Sequence, residues 1–149
     1  MKRPRGFTLV ELLVVFAIGA LIIGVAPLAF DRMQESAQYR ETLRALVSDM
    51  RTARLKAVSE GRETRFVVNL QQRWFGIDGA RQHPLANALT LRATVGEKQL
   101  QPDGVAAIQF LPGGGASGGS VDLLRASGVG ARLRVDWMTG RVEQEPLAP

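Results

Sequence analysis

The chain of 149 residues contains no cysteine and one histidine, His83. Without cysteine there is no disulfide framework, no thiolate metal site and no cysteine nucleophile. His83 has no second histidine or spaced acidic cluster nearby, so neither a zinc site nor a Ser-His-Asp arrangement can be assembled around it. The sequence therefore predicts a protein that is not an enzyme, that uses no cofactor or metal ion, and whose stability comes from burial of apolar side chains.

Charge is missing between residues 12 and 30, a run that is almost entirely apolar. A helix needs about 20 such residues to cross the ~30 Å hydrocarbon core of a bilayer. Three of the first five residues are basic, and short basic flanks stay on the cytoplasmic side. The pattern predicts a single membrane-spanning helix over residues 7–30, with the N-terminus in the cytoplasm and the main body outside it.

The small residue expected of a processing site stands before the apolar run. An ordinary signal peptide is cut after its apolar region, where residues 26–29 offer only a poor site interrupted by Pro27. The segment Gly6-Phe7-Thr8-Leu9-Val10-Glu11 instead closely resembles the class III leader junction of type IV pilins and type II secretion pseudopilins. This resemblance implies that a prepilin peptidase removes residues 1–6, cutting between Gly6 and Phe7, and methylates the new amine of Phe7.

Glu11 is the one carboxylate within the apolar N-terminal segment. A carboxylate at this depth needs a partner, or it must snorkel to the interface. Cleavage converts the neutral amide nitrogen of Phe7 into a cationic amine, which can pair with Glu11 of a neighbouring helix. Cleavage also removes basic residues that each hold the chain to an anionic leaflet by about 1 kcal/mol. We therefore expect Glu11 to act in assembly.

The net charge changes once the leader is removed. Loss of Lys2, Arg3 and Arg5 lowers the count of Lys and Arg from 19 to 16, so against 14 Asp and Glu the net charge falls from +5 to +2. A sequence pI of about 10.7 would otherwise suggest a nucleic-acid partner. The remaining basic residues are interspersed with acidic ones, which argues against nucleic-acid binding.

A long helix is predicted over residues 7–60, ending at Gly61, a residue typical of helix C-termini. Pro27 predicts a kink or loosened turn near residues 24–27. Ala20 and Gly24 have the small-xxx-small spacing that lets membrane helices approach closely, although such residues are also common in membrane helices generally. From residue 31 the apolar positions recur every three or four residues, which predicts an amphipathic helix over residues 31–61; they are Tyr39, Leu43, Leu46, Val47, Met50, Ala53, Ala57 and Val58.

Residues 62–149 have the short β-prone runs of a mainly β head, separated by turn residues. Strands are predicted over residues 64–70, 73–77, 88–95, 105–111, 120–125, 132–136 and 140–143, a loop over residues 79–87, and a frayed tail over residues 145–149. The predicted fold class is α+β, with the long N-terminal helix packed on this head.

The glycine-rich segment 112–120 approaches two phosphate-binding patterns without satisfying either. Gly113, Gly115 and Gly118 match G-x-G-x-x-G, but no helix follows them, and Gly119 stands where a Walker A motif needs lysine. We interpret the segment as a strand connection.

Two carboxyl-terminal segments narrow the resemblance from pilin-like proteins in general to one family. Ile108-Gln109-Phe110-Leu111-Pro112 with the following Gly/Ser run, and Val135-Asp136-Trp137-Met138-Thr139-Gly140-Arg141-Val142, resemble the signature of the GspH/FimT family of pilin-like proteins. This implies a sandwich-like head, and the Asp-Trp-x-x-Gly-Arg-Val ending leans toward the minor pseudopilins of type II secretion. Within the segments, we expect Phe110 and Trp137 in the core or on a sheet face, and Gly140 in a turn; Arg141 could pair with Asp136 across this hairpin.

The same resemblance implies the partners and location of the protein. It would sit in the bacterial inner membrane with its head in the periplasm, and assemble with other pseudopilins, both minor tip subunits and the major subunit. The prepilin peptidase and the inner-membrane assembly platform would be further partners, and secreted substrates or the outer-membrane channel would be contacted by the tip.

Two alternatives stay open at the level of the sequence. One is a minor pilin of type IV pili, related to FimT-like proteins that bind DNA during uptake, which basic residues gathered on one head face would favour. The other is a singly anchored periplasmic binding module that never polymerises, which would not be trimmed at Phe7.

Overall fold

The computed structural model of the chain describes residues 7–96 and 103–148, and for residues 22–32 it describes the backbone without the side chains. The chain forms two compact units, Met1–Ser36 and Ala37–Pro149. One helix and eight strands are present in the described part. The leader, including Gly6, lies outside the described residues, as do the side chain of Pro27 and the environment of Gly24.

The helix α1 spans Leu9–Glu60, within two residues of the predicted start. It ends because Gly61 adopts a left-handed φ of 63°, as the sequence predicted for a glycine at this position. Within the part of the chain whose side chains are described, no helical segment is long and apolar enough to cross a membrane.

The β head consists of two antiparallel four-stranded sheets. The first has the order β3-β2-β1-β5, formed by Gln82–Pro84, Trp74–Ile77, Thr64–Asn69 and Val105–Phe110. The second has the order β4-β6-β7-β8, formed by Leu89–Thr94, Gly119–Arg125, Gly130–Val135 and Val142–Leu147. The predicted combination of an N-terminal helix and a β head is confirmed.

The core is a single cluster of apolar side chains from α1 and both sheets. Five of the eight predicted helix positions are buried in it: Tyr39, Leu46, Met50, Ala53 and Ala57. Leu43 and Val47 are partly buried against it. Val58 was predicted to join this face, but 48% of it is exposed, because it lies about 100° around the helix from Ala57.

Two edge strands depart from the sequence prediction. Strand β3 lies within the predicted loop 79–87, and β8 extends through residues 145–147 of the predicted frayed tail. Both strands are polar and contain a proline, Pro84 or Pro146, which weakens any strand pattern in the sequence. An edge position tolerates proline because one side of the strand needs no partner, and pairing with β2 or β7 then holds each strand in place.

Candidate functional site

The N-terminal segment of α1 begins with a cap made by Thr8. The backbone N–H of Glu11 donates to Thr8 Oγ1 at 3.3 Å, and the N–H of Leu12 donates to the Thr8 carbonyl at 3.2 Å. Thr8-Leu9-Val10-Glu11 is thus the first half of a capping box, which orders the turn carrying Glu11. The capping role of Thr8 was not predicted, although the S/T-x-x-E pattern is present in the sequence.

Glu11 is exposed, and its carboxylate makes no hydrogen bond or ion pair with any residue that the structure describes. It lies in the first turn of α1, where the helix dipole favours a negative charge. Phe7 precedes the helix and is 81% exposed. The amine that cleavage would create and the carboxylate that would receive it are therefore both accessible to another molecule.

The first turns of α1 present apolar side chains on every side. Ten large ones are between 48% and 82% exposed: Phe7, Leu9, Val10, Leu12, Leu13, Val14, Val15, Phe16, Ile18 and Leu21. Gly19 has open space around it, and Ala20 is exposed. Because apolar surface of this extent is unfavourable in water, the segment requires lipid or neighbouring helices around it.

The glycine-rich segment and the β7–β8 turn form a second site, at one end of the head. The Ala116 N–H donates to the carbonyl of Trp137 at 2.9 Å. From α1, Arg54 Nε donates to the Thr139 carbonyl at 2.9 Å and reaches the Gly114 carbonyl at 3.4 Å. Arg54 thereby joins both loops to the helix, a role that the sequence alone did not predict.

The β7–β8 turn is organised by Asp136. Its carboxylate accepts hydrogen bonds from the main-chain N–H and the hydroxyl of Thr139, each at 2.8 Å. These hydrogen bonds hold the pKa of Asp136 below its usual value. The expected ion pair with Arg141 is absent from the described contacts, because the carboxylate faces Thr139 and only the main chains of Asp136 and Arg141 are hydrogen-bonded. Gly140 supplies the predicted turn with a φ of 62°.

Trp137 departs most clearly from its predicted position in the core or on a sheet face. Phe110 is fully buried, as expected, but Trp137 is 67% exposed and its neighbour Met138 is 68% exposed. Both lie in the turn between β7 and β8, beyond the last inward-facing residue, Val135. The predicted strands already left Trp137 in the connection between them. The expectation of burial rested on the large aromatic side chain, which in most proteins is largely buried.

A groove of about 680 Å³ follows the outer face of α1 within the second unit. Helix residues form almost all of its lining, and β8 contributes Gln144. Three exposed arginines, Arg40, Arg44 and Arg51, line it without any carboxylate among the lining residues. This is a gathering of basic residues on one face of the head, which sequence reasoning did not find.

An ion pair joins α1 to the edge of the first sheet. His83 Nε2 on β3 lies 3.4 Å from Asp49 Oδ2, and the imidazole stacks on Phe75 with ring centroids 5.3 Å apart. Burial raises the pKa of Asp49, and the charge of His83 opposes that shift. No group of three or more potential metal ligands occurs in the described residues.

Comparison with known proteins identifies both parts of the chain. Residues 1–27 match the prokaryotic N-terminal methylation motif, and residues 42–140 match the model of type II transport protein GspH. The chain is 35% identical over 149 residues to type II secretion system protein H of Xanthomonas campestris pv. campestris, covering 98% of this chain and 86% of the relative.

Two solved structures share the fold. The minor pseudopilin EpsH from the type 2 secretion system of Vibrio cholerae superposes with a TM-score of 0.57 at 12% identity, covering 73% of this chain and 97% of EpsH. The type IV minor pilin FimU of Pseudomonas aeruginosa superposes with a TM-score of 0.55 at 19% identity, covering 80% of this chain and 95% of FimU. The family model matches residues 42–140, and the Xanthomonas relative is 35% identical over 98% of the chain. The chain therefore belongs to the GspH family of type II transport proteins.

Proposed function

We propose that this chain is a minor pseudopilin of the type II protein secretion system. It is a structural subunit without catalytic activity, at the tip of the periplasmic pseudopilus. It enters the pseudopilus through its N-terminal helix, after a prepilin peptidase has cut between Gly6 and Phe7 and methylated Phe7. Before assembly, residues 7–30 anchor it in the inner membrane with the head in the periplasm.

The observation that carries this proposal is the state of the first helical turns. Thr8 orders the turn that presents Glu11, the carboxylate has no partner among the described residues, and the surrounding apolar side chains are exposed. A segment with these properties has the chemistry of a polymerisation helix, in which lipid is exchanged for neighbouring helices and the buried charge is neutralised by the next subunit's amine. The methylation-motif match over residues 1–27 supports the same reading.

The mature N-terminus tests the proposal directly. Mass spectrometry of the chain isolated from cells should find Phe7 as the first residue, carrying a methylated amine. A Gly6→Leu variant should accumulate as the uncut precursor, because a bulky residue replaces the small one at the cleavage site. Pro4→Leu, which changes the leader elsewhere, should be trimmed normally.

The same measurement separates the proposal from a plain membrane anchor. An anchor that never polymerises would keep Met1, or would lose far more than six residues. Normal trimming of Gly6→Leu would show that the junction lies elsewhere.

The arginine groove gives one specific reason to keep a second function, that of a DNA-binding type IV minor pilin. Arg40, Arg44 and Arg51 gather on one exposed face, as such a protein would require. Binding of the full-length chain in detergent to a 20-bp duplex would then weaken steeply between 50 and 200 mM salt. Absence of that binding, with pseudopilins co-purifying with the chain, supports the secretion role.

A further inference from the structure

The arginine groove on α1 has a composition that points to one kind of partner. We propose that it receives a helix of another subunit whose exposed stripe alternates acidic and apolar residues. This inference rests on the proposed function and deepens it, because it assigns a surface of the head to a subunit contact distinct from the polymerisation helix.

The charge of the groove is entirely positive. Arg40, Arg44 and Arg51 are exposed and form no ion pair with any described residue, and the lining contains no acidic side chain. Gln144 lies on β8 between Glu143 and Glu145, and strand alternation turns those two carboxylates away from the face that Gln144 occupies. The positive charge is therefore not neutralised by the chain's own strand beside it.

The positive surface continues past the end of the groove. A neighbouring depression shares Arg51 and Leu55 with it and adds Arg54 and Arg141, again without a carboxylate in its lining. Arginine is enriched at the centres of protein interfaces, because its planar guanidinium can bind a carboxylate through two hydrogen bonds. An acidic partner would meet complementary charge along the whole surface.

Apolar side chains alternate with the arginines. Leu43 and Val47 are half-buried in the groove, and Leu55 is 67% exposed. Nucleic-acid phosphates would gain nothing from these three side chains. A protein helix with apolar residues between its carboxylates would bury them.

The dimensions of the groove suit a helix. From residue 40 to residue 55 the surface of α1 extends about 22 Å at 1.5 Å per residue, which accommodates about four turns of a partner helix. The lining positions follow three- and four-residue steps along α1, and these are the ridges that pack into the grooves of a second helix. Four turns allow three carboxylate–arginine contacts with apolar residues between them.

Photo-cross-linking in the full-length chain tests this assignment. Leu55 is replaced by p-benzoylphenylalanine in cells that produce the complete secretion system, and the cross-linked peptides are identified by mass spectrometry. We expect a cross-link to a helix of another pseudopilin with acidic residues three or four positions apart. The Arg44→Glu/Arg51→Glu variant should lower its yield about tenfold or more, as expected when interfacial arginines are reversed.

Matched controls separate charge from folding. Arg81→Glu/Arg134→Glu makes the same change in net charge at exposed arginines outside the groove, and should leave the yield unchanged. Replacing a cross-linked acidic residue of the partner with arginine should restore the yield of Arg44→Glu/Arg51→Glu. If that variant melts below the control variant, Arg44→Gln/Arg51→Gln is used for the same comparison.

Several results would overturn the inference. They are a cross-link to phospholipid or DNA, a cross-link to a partner surface without acidic residues, or a yield that both double variants reduce equally. Trimming at Phe7 and co-purification with pseudopilins are measured in the same cells. If these persist while the cross-link is absent, the groove assignment fails and the proposed function stands; if they are lost in the unaltered chain, the proposed function itself fails.

Discussion

At the scale of single residues, Gly140 shows how closely the two signature loops approach each other. Its φ is 62°, and a Cβ built there would lie 2.5 Å from the Gly114 carbonyl oxygen and 3.1 Å from Arg54 Nε. A side chain would therefore both strain the backbone and push apart the loops that Arg54 holds. The glycine-rich segment is therefore a connection held in place by hydrogen bonds. Glycine is needed at position 140, where the main chain of the β7–β8 turn approaches that segment.

Gly140→Ala should consequently destabilise the protein. A non-glycine residue in the left-handed region costs about 1–3 kcal/mol, and the clash with Gly114 adds to this. Urea unfolding of the full-length chain in detergent, followed by tryptophan fluorescence, measures the loss. Gly113→Ala is the matched control, because nothing lies within 4 Å of its Cβ position and its φ is ordinary; we expect it to stay within about 0.5 kcal/mol of the unaltered chain. Equal stability of the two variants would contradict this account.

Trp137 raises the opposite question, since its indole is exposed and contributes little to the core. Trp137→Ala should change the free energy of unfolding by less than about 0.5 kcal/mol, whereas Phe110→Ala, at a fully buried ring, should cost about 3–5 kcal/mol. Far-UV circular dichroism of the two variants during thermal unfolding gives the comparison. A loss above about 1 kcal/mol for Trp137→Ala would mean that the indole packs on the head in solution.

At the scale of elements, strong patterns were predictable, whereas β3 and the carboxyl-terminal part of β8 were not. The helix limits, the left-handed Gly61 and the central strands follow from apolar periodicity, turn residues and β-branched runs. β3 and residues 144–147 of β8 have no such pattern; they form because β2 and β7 offer them open edges. The connection between β1 and β2 shows the same dependence on context, because it occupies residues 70–73 with Arg73 at a φ of 56°, where the sequence has no glycine.

The candidate site divides in the same way. Phe7 and Glu11 could be picked out because the leader junction is a local motif. Arg54 could not, because its role depends on two loops distant in the sequence that meet α1 only after folding. Arg40, Arg44 and Arg51 share one helix face by their spacing, but the sequence could not show that Gln144 of β8, and no carboxylate, lies beside them. Trp137 was misassigned because large aromatic side chains are usually buried, whereas this one lies in a turn that leaves it exposed.

The contact between α1 and β3 predicts a dependence of stability on pH. Burial raises the pKa of Asp49, so folding favours its protonated form. The contribution of Asp49 to stability is therefore fully present below the ordinary aspartate pKa of about 4, and declines as the pH rises through the higher value of the folded state.

Asp49→Asn should thus stabilise the protein at pH 8–9, where it removes a poorly solvated charge from a side chain that is 19% exposed. The gain should shrink as the pH falls through the raised pKa of Asp49, and vanish near pH 3, where the carboxyl group is protonated in both the folded and the unfolded chain. Urea unfolding midpoints at these pH values measure the effect. Asp78→Asn serves as control, because Asp78 is 57% exposed in its pair with Arg65 and should give no comparable gain at pH 8–9. A lower midpoint for Asp49→Asn at pH 8–9 would show that the contact of Asp49 with His83 outweighs desolvation.

At the scale of the whole molecule, the two compact units differ in how they expose apolar side chains. The head is a folded body with a complete apolar core, and its surfaces carry the arginine groove and the exposed Trp137 turn. The N-terminal unit has the reverse character, with large apolar side chains exposed on all sides and one carboxylate in its first turn. The exposed apolar side chains of the N-terminal unit would be covered by neighbouring molecules in the proposed filament.

Glu11→Ala should uncouple assembly from the steps that precede it. In the proposed function, insertion and trimming depend on the leader, the apolar run and Gly6, so the variant should reach the membrane with Phe7 at its N-terminus. Incorporation should fall about tenfold or more, because a hydrogen bond between charged groups contributes about 1.5–3 kcal/mol and the neighbour's amine would be left unpaired. The amount of the chain that co-purifies with sheared pseudopili measures this, and Glu41→Ala, at an exposed carboxylate on the head part of α1, should incorporate normally. Normal incorporation of Glu11→Ala would refute pairing between subunits and leave Glu11 with only its place in the capped first turn.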